Sequence, residues 1–351
     1  MGGTINISEV KELNPVTSPG WNDMLLNSKD YSIFHTSNWA SVLMETYGFR
    51  ANYFALTEKN RFVFLMPIME LHNVVAGKKG ISLPFSDYCN PIVSDQLAFS
   101  QVFDHIKELG NKRNWKMIEI RDINGSVGVN PSFASYYRHT LDLQTGAEAL
   151  MKGLRENYRS KIKKAAGKNL RVDISQSQES LHDYYVLHCA TRRRQGMPPQ
   201  SRRYFQNIYN NIIAKDLGIV VRVTLGGKII AGALFMFFGG KAIYKYGASE
   251  MKYSDVYPNY LLFWSVIELL CRRGCAELCF GRTDPFHHGL LQFKDGWGTQ
   301  RHTIHYYRYN FSRKSFIEGN KKGHEPGFAI IKVLPLPVVK LMGTLLYRYG
   351  A

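Results

Sequence analysis

The second half of the chain alternates apolar runs with glycine pairs. GIVVRVTL from Gly218, KIIAGALFMFF from Lys228 and KAIYKYGAS from Lys241 are separated by Gly226-Gly227 and Gly239-Gly240. Paired glycines between β-branched runs have the chemistry of two-residue hairpin turns, so the pattern predicts an antiparallel meander. In the following YPNYLLFWSVIELLCRRG the period changes: Leu262, Val266, Leu269 and Leu270 share one helical face, Pro258 suits a first turn and Gly274 a stop. AELCFG then reads as a short buried strand, GLLQFKDGWG as a short helix and HTIHYYRYN as a final strand. The predicted order is β-β-β-α-β-α-β.

The first half repeats this plan. ANYFALTE and RFVFLMPIMEL predict a hairpin, a helix follows from about Asp95 to Lys112, and WKMIEIRD and YYRHTLDL are strands. With 351 residues, the expected organisation is a first domain over 1–147, a second over 148–312 carrying the functional site, and a tail over 313–351 docked on the first domain. At the junction, Met151, Leu154, Tyr158, Ile162 and Ala165 form an apolar stripe, while Arg155, Arg159, Lys161, Lys163, Lys164 and Lys168 point elsewhere. This basic face reads either as a solvated surface or as a phosphate rail. The tail, FAIIKVLPLPVVKLMGTLLYRYGA, reads as a docked terminal helix, with an interfacial membrane anchor as the alternative.

Composition narrows the partners. Lys and Arg number 45 against 28 Asp and Glu, a formal net charge of +17, which favours a polyanion: nucleic acid, a phosphate-bearing cofactor or an anionic lipid surface. A second cluster of Arg192, Arg193, Arg194, Arg202 and Arg203 strengthens this, yet neither cluster has the interleaved aromatics of a single-strand binder. The longest apolar run, Ile229 to Phe238, is half of what spans a bilayer, and MGGTINISEVKELNP lacks the features of a signal peptide. Five cysteines match no zinc spacing and are expected to be buried and reduced, as in a cytoplasmic protein.

The densest chemistry is FGRTDPFHHGLLQFKDGWGTQ, residues 280–300. If AELCF is a central strand, Gly281 to Asp284 emerge at its carboxyl end, where ligands of α/β sheets sit, and the next helix brings Lys294 towards Arg282. Arg282 would pair with a substrate carboxylate or phosphate. Asp284 reads either as a proton acceptor or as a helix cap. His287 and His288 are adjacent, point different ways and lack a third ligand, so no metal is expected.

The element order is that of the GNAT acyltransferases, in which the donor lies across the start of the helix after the third or fourth strand. The fold expectation is α/β, two tandem GNAT-like (acyl-CoA N-acyltransferase) domains with mixed sheets flanked by helices. Here that helix start is DVYPNY, and GASEMKYSDVYPN lacks the Gly-rich phosphate loop of simple acetyltransferases. FHTSNWASVLMETYG, SLPFSDYCNPIV, RENYRSKIKKAAGKNLRV, PNYLLFW, FGRTDPFHHGLLQFK and GWG together resemble the Fem-type aminoacyl and acyl transferases of bacterial cell envelopes. With no heptad insertion, the chain resembles the members without helical arms.

That resemblance implies transfer of an acyl or aminoacyl group onto an amine of a peptidoglycan or exopolysaccharide precursor. It places Lys294 of the FK pair in the transfer site, with Phe293 and Tyr246 as neighbours. Lys294, Asp284 and Tyr246 are the catalytic candidates; Arg282, Phe293, Asn259, Tyr260, Trp297, Arg159, Lys163 and Lys164 are the substrate-binding ones. The implied co-substrate is an acyl donor, aminoacyl-tRNA or acyl-CoA, without a metal. The implied acceptor is an envelope glycan or lipid-linked precursor, met in the cytoplasm or peripherally at the inner face of the membrane. The alternatives are an acetyl-CoA-dependent N-acetyltransferase acting on an amino sugar or polysaccharide, and a noncatalytic basic RNA-binding module.

Overall fold

The computed structural model describes residues 10–73, 77–93, 96–319 and 328–349. The first nine residues, which carry most of the segment read for a signal peptide, lie outside them. The described residues fall into two compact units, one of 10–137 with 303–319 and 348–349, the other of 138–302 with 328–347.

In the first unit, Tyr53–Glu58 and Arg61–Met66 form the expected hairpin, joined through Lys59 and Asn60, both at positive φ. The apolar run RFVFLMPIMEL breaks at Pro67 into Arg61–Met66 and Met69–Asn73, because proline has no N–H to give a ladder. Helix Gln96–Lys112 leads into Trp115–Asp122, which pairs in parallel with Gly77–Ser82. Glu119, buried under this sheet, is clamped by Arg121 and Arg308, which hold its carboxyl below the usual range against the cost of burial.

The second unit carries the meander. Gly218–Leu225, Lys228–Phe238 and Lys241–Ser249 pair antiparallel, and all four turn glycines have positive φ, as mirror-image two-residue turns require. Helix Pro258–Arg272 buries Leu262, Phe263, Val266, Ile267 and Leu270 against the sheet. Each such side chain contributes about 1.5–3 kcal/mol relative to exposure. Glu277–Thr283 then pairs in parallel with Lys241–Ser249, but only over Lys241–Ile243 and Glu277–Cys279. Beyond Cys279 the two strands no longer pair, and the sheet is open at their carboxyl ends.

Three expectations change. Residues 303–310 of HTIHYYRYN, placed in the second domain, pair with Trp115–Asp122 in the first unit, whereas 138–142 of YYRHTLDL belong to the second. The junction helix is two helices, Ala147–Gly153 and Glu156–Ala166, because Leu154 is extended between them. The tail, expected on the first domain, packs in the second unit. There the Tyr347 hydroxyl donates to the Pro198 carbonyl at 2.9 Å, Arg192 donates to it at 2.8 Å, and Ile331 and Val339 are buried. Strand Arg171–Ser175 and helices Gln178–Arg194 and Arg202–Asn211 complete this unit. All five cysteines are free thiols; four are buried and Cys271 is half-buried.

Candidate active site

The opening beyond Cys279 is where the second unit gathers its chemistry. Gly281 has φ +71°, a value open to glycine without strain, and there the strand turns its last carbonyls towards the following helix. The Lys294 side chain, on helix His288–Asp295, is only 2% exposed, and its ammonium donates to the carbonyls of Gly281 at 3.0 Å and Arg282 at 3.4 Å. The predicted convergence of residues 282 and 294 therefore runs through the Arg282 backbone; its side chain is exposed. Lys294 is not a solvated helix lysine but a buried cation at the end of the central strand.

An aromatic floor lies beside it. The Tyr158 hydroxyl donates to the carbonyls of Gln292 at 3.1 Å and Phe293 at 2.9 Å, tying helix Glu156–Ala166 to the end of the Lys294 helix. Tyr260 meets Tyr158, Phe293 and Trp297 at centroid distances of 5.1, 5.4 and 6.1 Å. Trp297 is 1% exposed, and its indole N–H has no hydrogen-bond partner among the described residues. Lys161 departs from the basic face: its ammonium donates to the Tyr260 hydroxyl at 3.0 Å and lies 5.9 Å from the Tyr257 ring centre. A cation thus stands beside the start of helix Pro258–Arg272, where Tyr257 is left-handed, Pro258 takes the first turn and Asn259 follows half-buried.

His139 was not found from sequence. It is fully buried, and its Nε2 lies 3.1 Å from the Asp295 carboxylate, the residue after Lys294. Burial pushes its imidazole down to about 4, the Lys294 ammonium adds to this, and the Asp295 carboxylate opposes it. The ring is therefore neutral near pH 7. Its signals were a histidine within an alternating strand and a carboxylate following the FK pair, each unremarkable alone.

Other expected residues make contacts of their own. Between Tyr244 and Tyr246 the register against Lys228–Phe238 shifts by one residue, so Lys245 is a bulge and the alternation resets. Tyr244 packs on Phe263, whereas the Tyr246 hydroxyl meets that of Tyr204 at 2.9 Å and its ring faces His188 and Phe205. The resemblance implied Tyr246 as a neighbour of Lys294; the contacts described for its ring and hydroxyl are with Tyr204, His188 and Phe205. Asp284 does not cap the Lys294 helix; its carboxylate accepts from Phe286 N at 2.9 Å, and His287 is the cap, accepting from Leu290 N. On the basic helix, Arg159 is engaged by Glu156 and the Lys152 carbonyl, while Lys163 and Lys164 are exposed, with no partner among the described residues. No group of three or more His, Cys, Asp or Glu side chains among the described residues could hold a metal ion.

The buried histidines give a pH dependence. His188, whose Nε2 donates to Gln200 Oε1 at 2.9 Å, is pushed down to about 3 by burial and the nearby Arg192. Both imidazoles have folded values below the ordinary 6.5, so as pH falls from about 6.5 to 4 the unfolded chain takes up protons that the folded chain refuses. Stability is therefore present above that window and lost within it, by up to about 1.4 kcal/mol per pH unit for each histidine. Thermal melts from pH 7.5 to 4.5 should show this decline, shallower in His188→Gln.

Residues 152–295 match the acetyltransferase (GNAT) domain family. Lipid II:glycine glycyltransferase of Staphylococcus aureus is 33% identical over 144 residues, covering 37% of this chain and 34% of that protein. The chain thus matches about a third of this curated relative's length. Among solved structures, FemX superposes with a TM-score of 0.63 at 17% identity, covering 81% of this chain and 94% of that one. A tandem GNAT protein from the clavulanic acid biosynthesis pathway does so with a TM-score of 0.52 at 9% identity, covering 78% and 87%. Residues 152–295 thus resemble a GNAT acetyltransferase domain, and the chain shares the fold of FemX and of a tandem GNAT protein.

Proposed function

We propose that the protein is an aminoacyltransferase that moves an aminoacyl group from an activated ester onto an amine of a lipid-linked peptidoglycan precursor. The observation that carries this reading is the buried Lys294 ammonium, held by strand-end carbonyls where the two parallel strands stop pairing. The similarity to a lipid II:glycine glycyltransferase supports the acceptor class.

In this reading the acceptor amine attacks the ester carbonyl, a C–N bond forms and the electron pair moves onto oxygen. Lys294 provides positive charge for that oxyanion in a site already dry, where a charge acts most strongly. The ammonium proton passes to a carboxylate, for which Asp284 is the candidate, held in place by Phe286 N. Collapse of the intermediate expels the donor alkoxide, which takes up a proton. Phe293, Tyr260 and Trp297 wall the site, and Arg282, exposed at the strand end, receives a carboxylate or phosphate of the acceptor. Tyr246 has no part in this reading.

The donor is an anion held by the N–H groups at the start of helix Pro258–Arg272, Asn259 among them, with Lys161 beside them. Aminoacyl-tRNA fits better than acyl-CoA because Met251–Val256, a short 3₁₀ segment, occupies the place of a Gly-rich phosphate loop. Arg159, Lys163 and Lys164 form the rail for phosphates. Lys163→Glu with Lys164→Glu should weaken tRNA binding and reduce the magnitude of the slope of log K against log salt by about one for each phosphate no longer neutralised. An unchanged slope, measured by filter binding over a salt series, would make this helix face a solvated surface only.

A further inference from the structure

The two C-terminal helices present an apolar face outward. Helices Ala329–Val333 and Leu336–Tyr349 are anchored by their inner side, where Ile331 is 1% and Val339 0% exposed and Lys340 lies 5.3 Å from the Tyr185 ring centre. The outer side of a docked surface helix is ordinarily polar. Here it carries Phe328, Ile330, Val333, Leu341 and Leu345, between 54% and 75% exposed, with Val338 at 43%. Val338, Leu341 and Leu345 follow the i, i+3, i+7 spacing of one helical stripe. A row of aliphatic side chains of this length is more than the scattered exposed leucines of a soluble surface.

Its borders identify the occupant. Residues 328–349 contain Lys332, Lys340 and Arg348 and no aspartate or glutamate. A second copy placed symmetrically on this face would set cations against the same cations. An anionic lipid surface would meet both features, with apolar side chains entering the acyl boundary and the exposed Lys332 and Arg348 meeting headgroups. No helix among the described residues is long and apolar enough to cross a membrane, which leaves a helix lying in the interface.

We infer that the outer face of residues 328–346 docks the protein on the surface of an anionic bilayer. This holds independently of which group the protein transfers, and its test needs no transfer assay. Co-sedimentation is measured with vesicles of phosphatidylglycerol and phosphatidylcholine, and of phosphatidylcholine alone, for the wild type, Leu341→Gln with Leu345→Gln, and Lys332→Glu. The wild type should sediment with the anionic vesicles, and less at high salt. The leucine double variant should lose at least about tenfold in partitioning with an unchanged melting temperature, because both side chains are exposed. Lys332→Glu should reduce binding to the anionic vesicles alone. A wild type that stays in the supernatant, equal binding by all three proteins, or a dimer that forms without vesicles and is dissolved by the leucine changes would overturn the inference.

Discussion

Lys294→Met should lower the rate of transfer at saturating substrates by about a hundredfold or more, while the protein still folds. Methionine keeps most of the side-chain length and fills the same buried space, so little packing is lost. The charge is lost, and removal of one preorganised group facing a developing oxyanion has effects of this size. A structural cost accompanies it, because the carbonyls of Gly281 and Arg282 lose the ammonium that holds them. A buried acceptor left unpaired costs about 1–3 kcal/mol, which lowers the melting temperature by a few degrees. The two effects separate experimentally: a folded, slightly destabilised protein with little transfer supports a role at the reacting atoms. Near wild-type turnover would reduce Lys294 to a strut for the strand end.

Gly296→Ala should destabilise the protein by about 1–3 kcal/mol, against the ordinary sign of that substitution. Gly296 has φ −68°, a conformation alanine adopts freely, so replacing it at a helix end would normally stabilise by restricting the unfolded chain. A Cβ there would instead fall on the Tyr158 ring. That ring cannot step aside easily, since its hydroxyl is bonded to the carbonyls of Gln292 and Phe293 and its faces meet Tyr260 and Trp297. Truncating the ring should make room: Tyr158→Ala with Gly296→Ala should be less destabilised than the sum of the single changes, with a coupling of about 1–3 kcal/mol. Additive effects in denaturant unfolding would mean that this packing does not hold the floor of the site.

What could be read from the sequence follows the range of the interactions. The meander, its glycine turns and helix Pro258–Arg272 depend on local signals, and all were legible in spacing and turn residues. Which strand residues 303–310 pair with is a long-range choice between apolar strands of similar pattern, and no local signal distinguishes them. The contacts of Tyr246 were not legible because the bulge at Lys245 resets the alternation, and nothing in KAIYKYGAS marks a bulge before the partner strand is known. Lys294 was singled out through a resemblance, and its burial, which the sequence did not show, follows from the left-handed turn at Gly281 that aims two carbonyls at it. His139 lies 156 positions before Asp295 in the chain, and only the fold brings its imidazole to that carboxylate.

The most direct measurement of the proposed activity supplies the purified protein with a lipid-linked peptidoglycan precursor and either labelled aminoacyl-tRNA or labelled acetyl-CoA, and follows the label into the precursor. Transfer from aminoacyl-tRNA, abolished by Lys294→Met and absent with acetyl-CoA, is the expected result. Transfer only from acetyl-CoA, or retention of tRNA with no transfer from either donor, would contradict the proposed aminoacyltransferase.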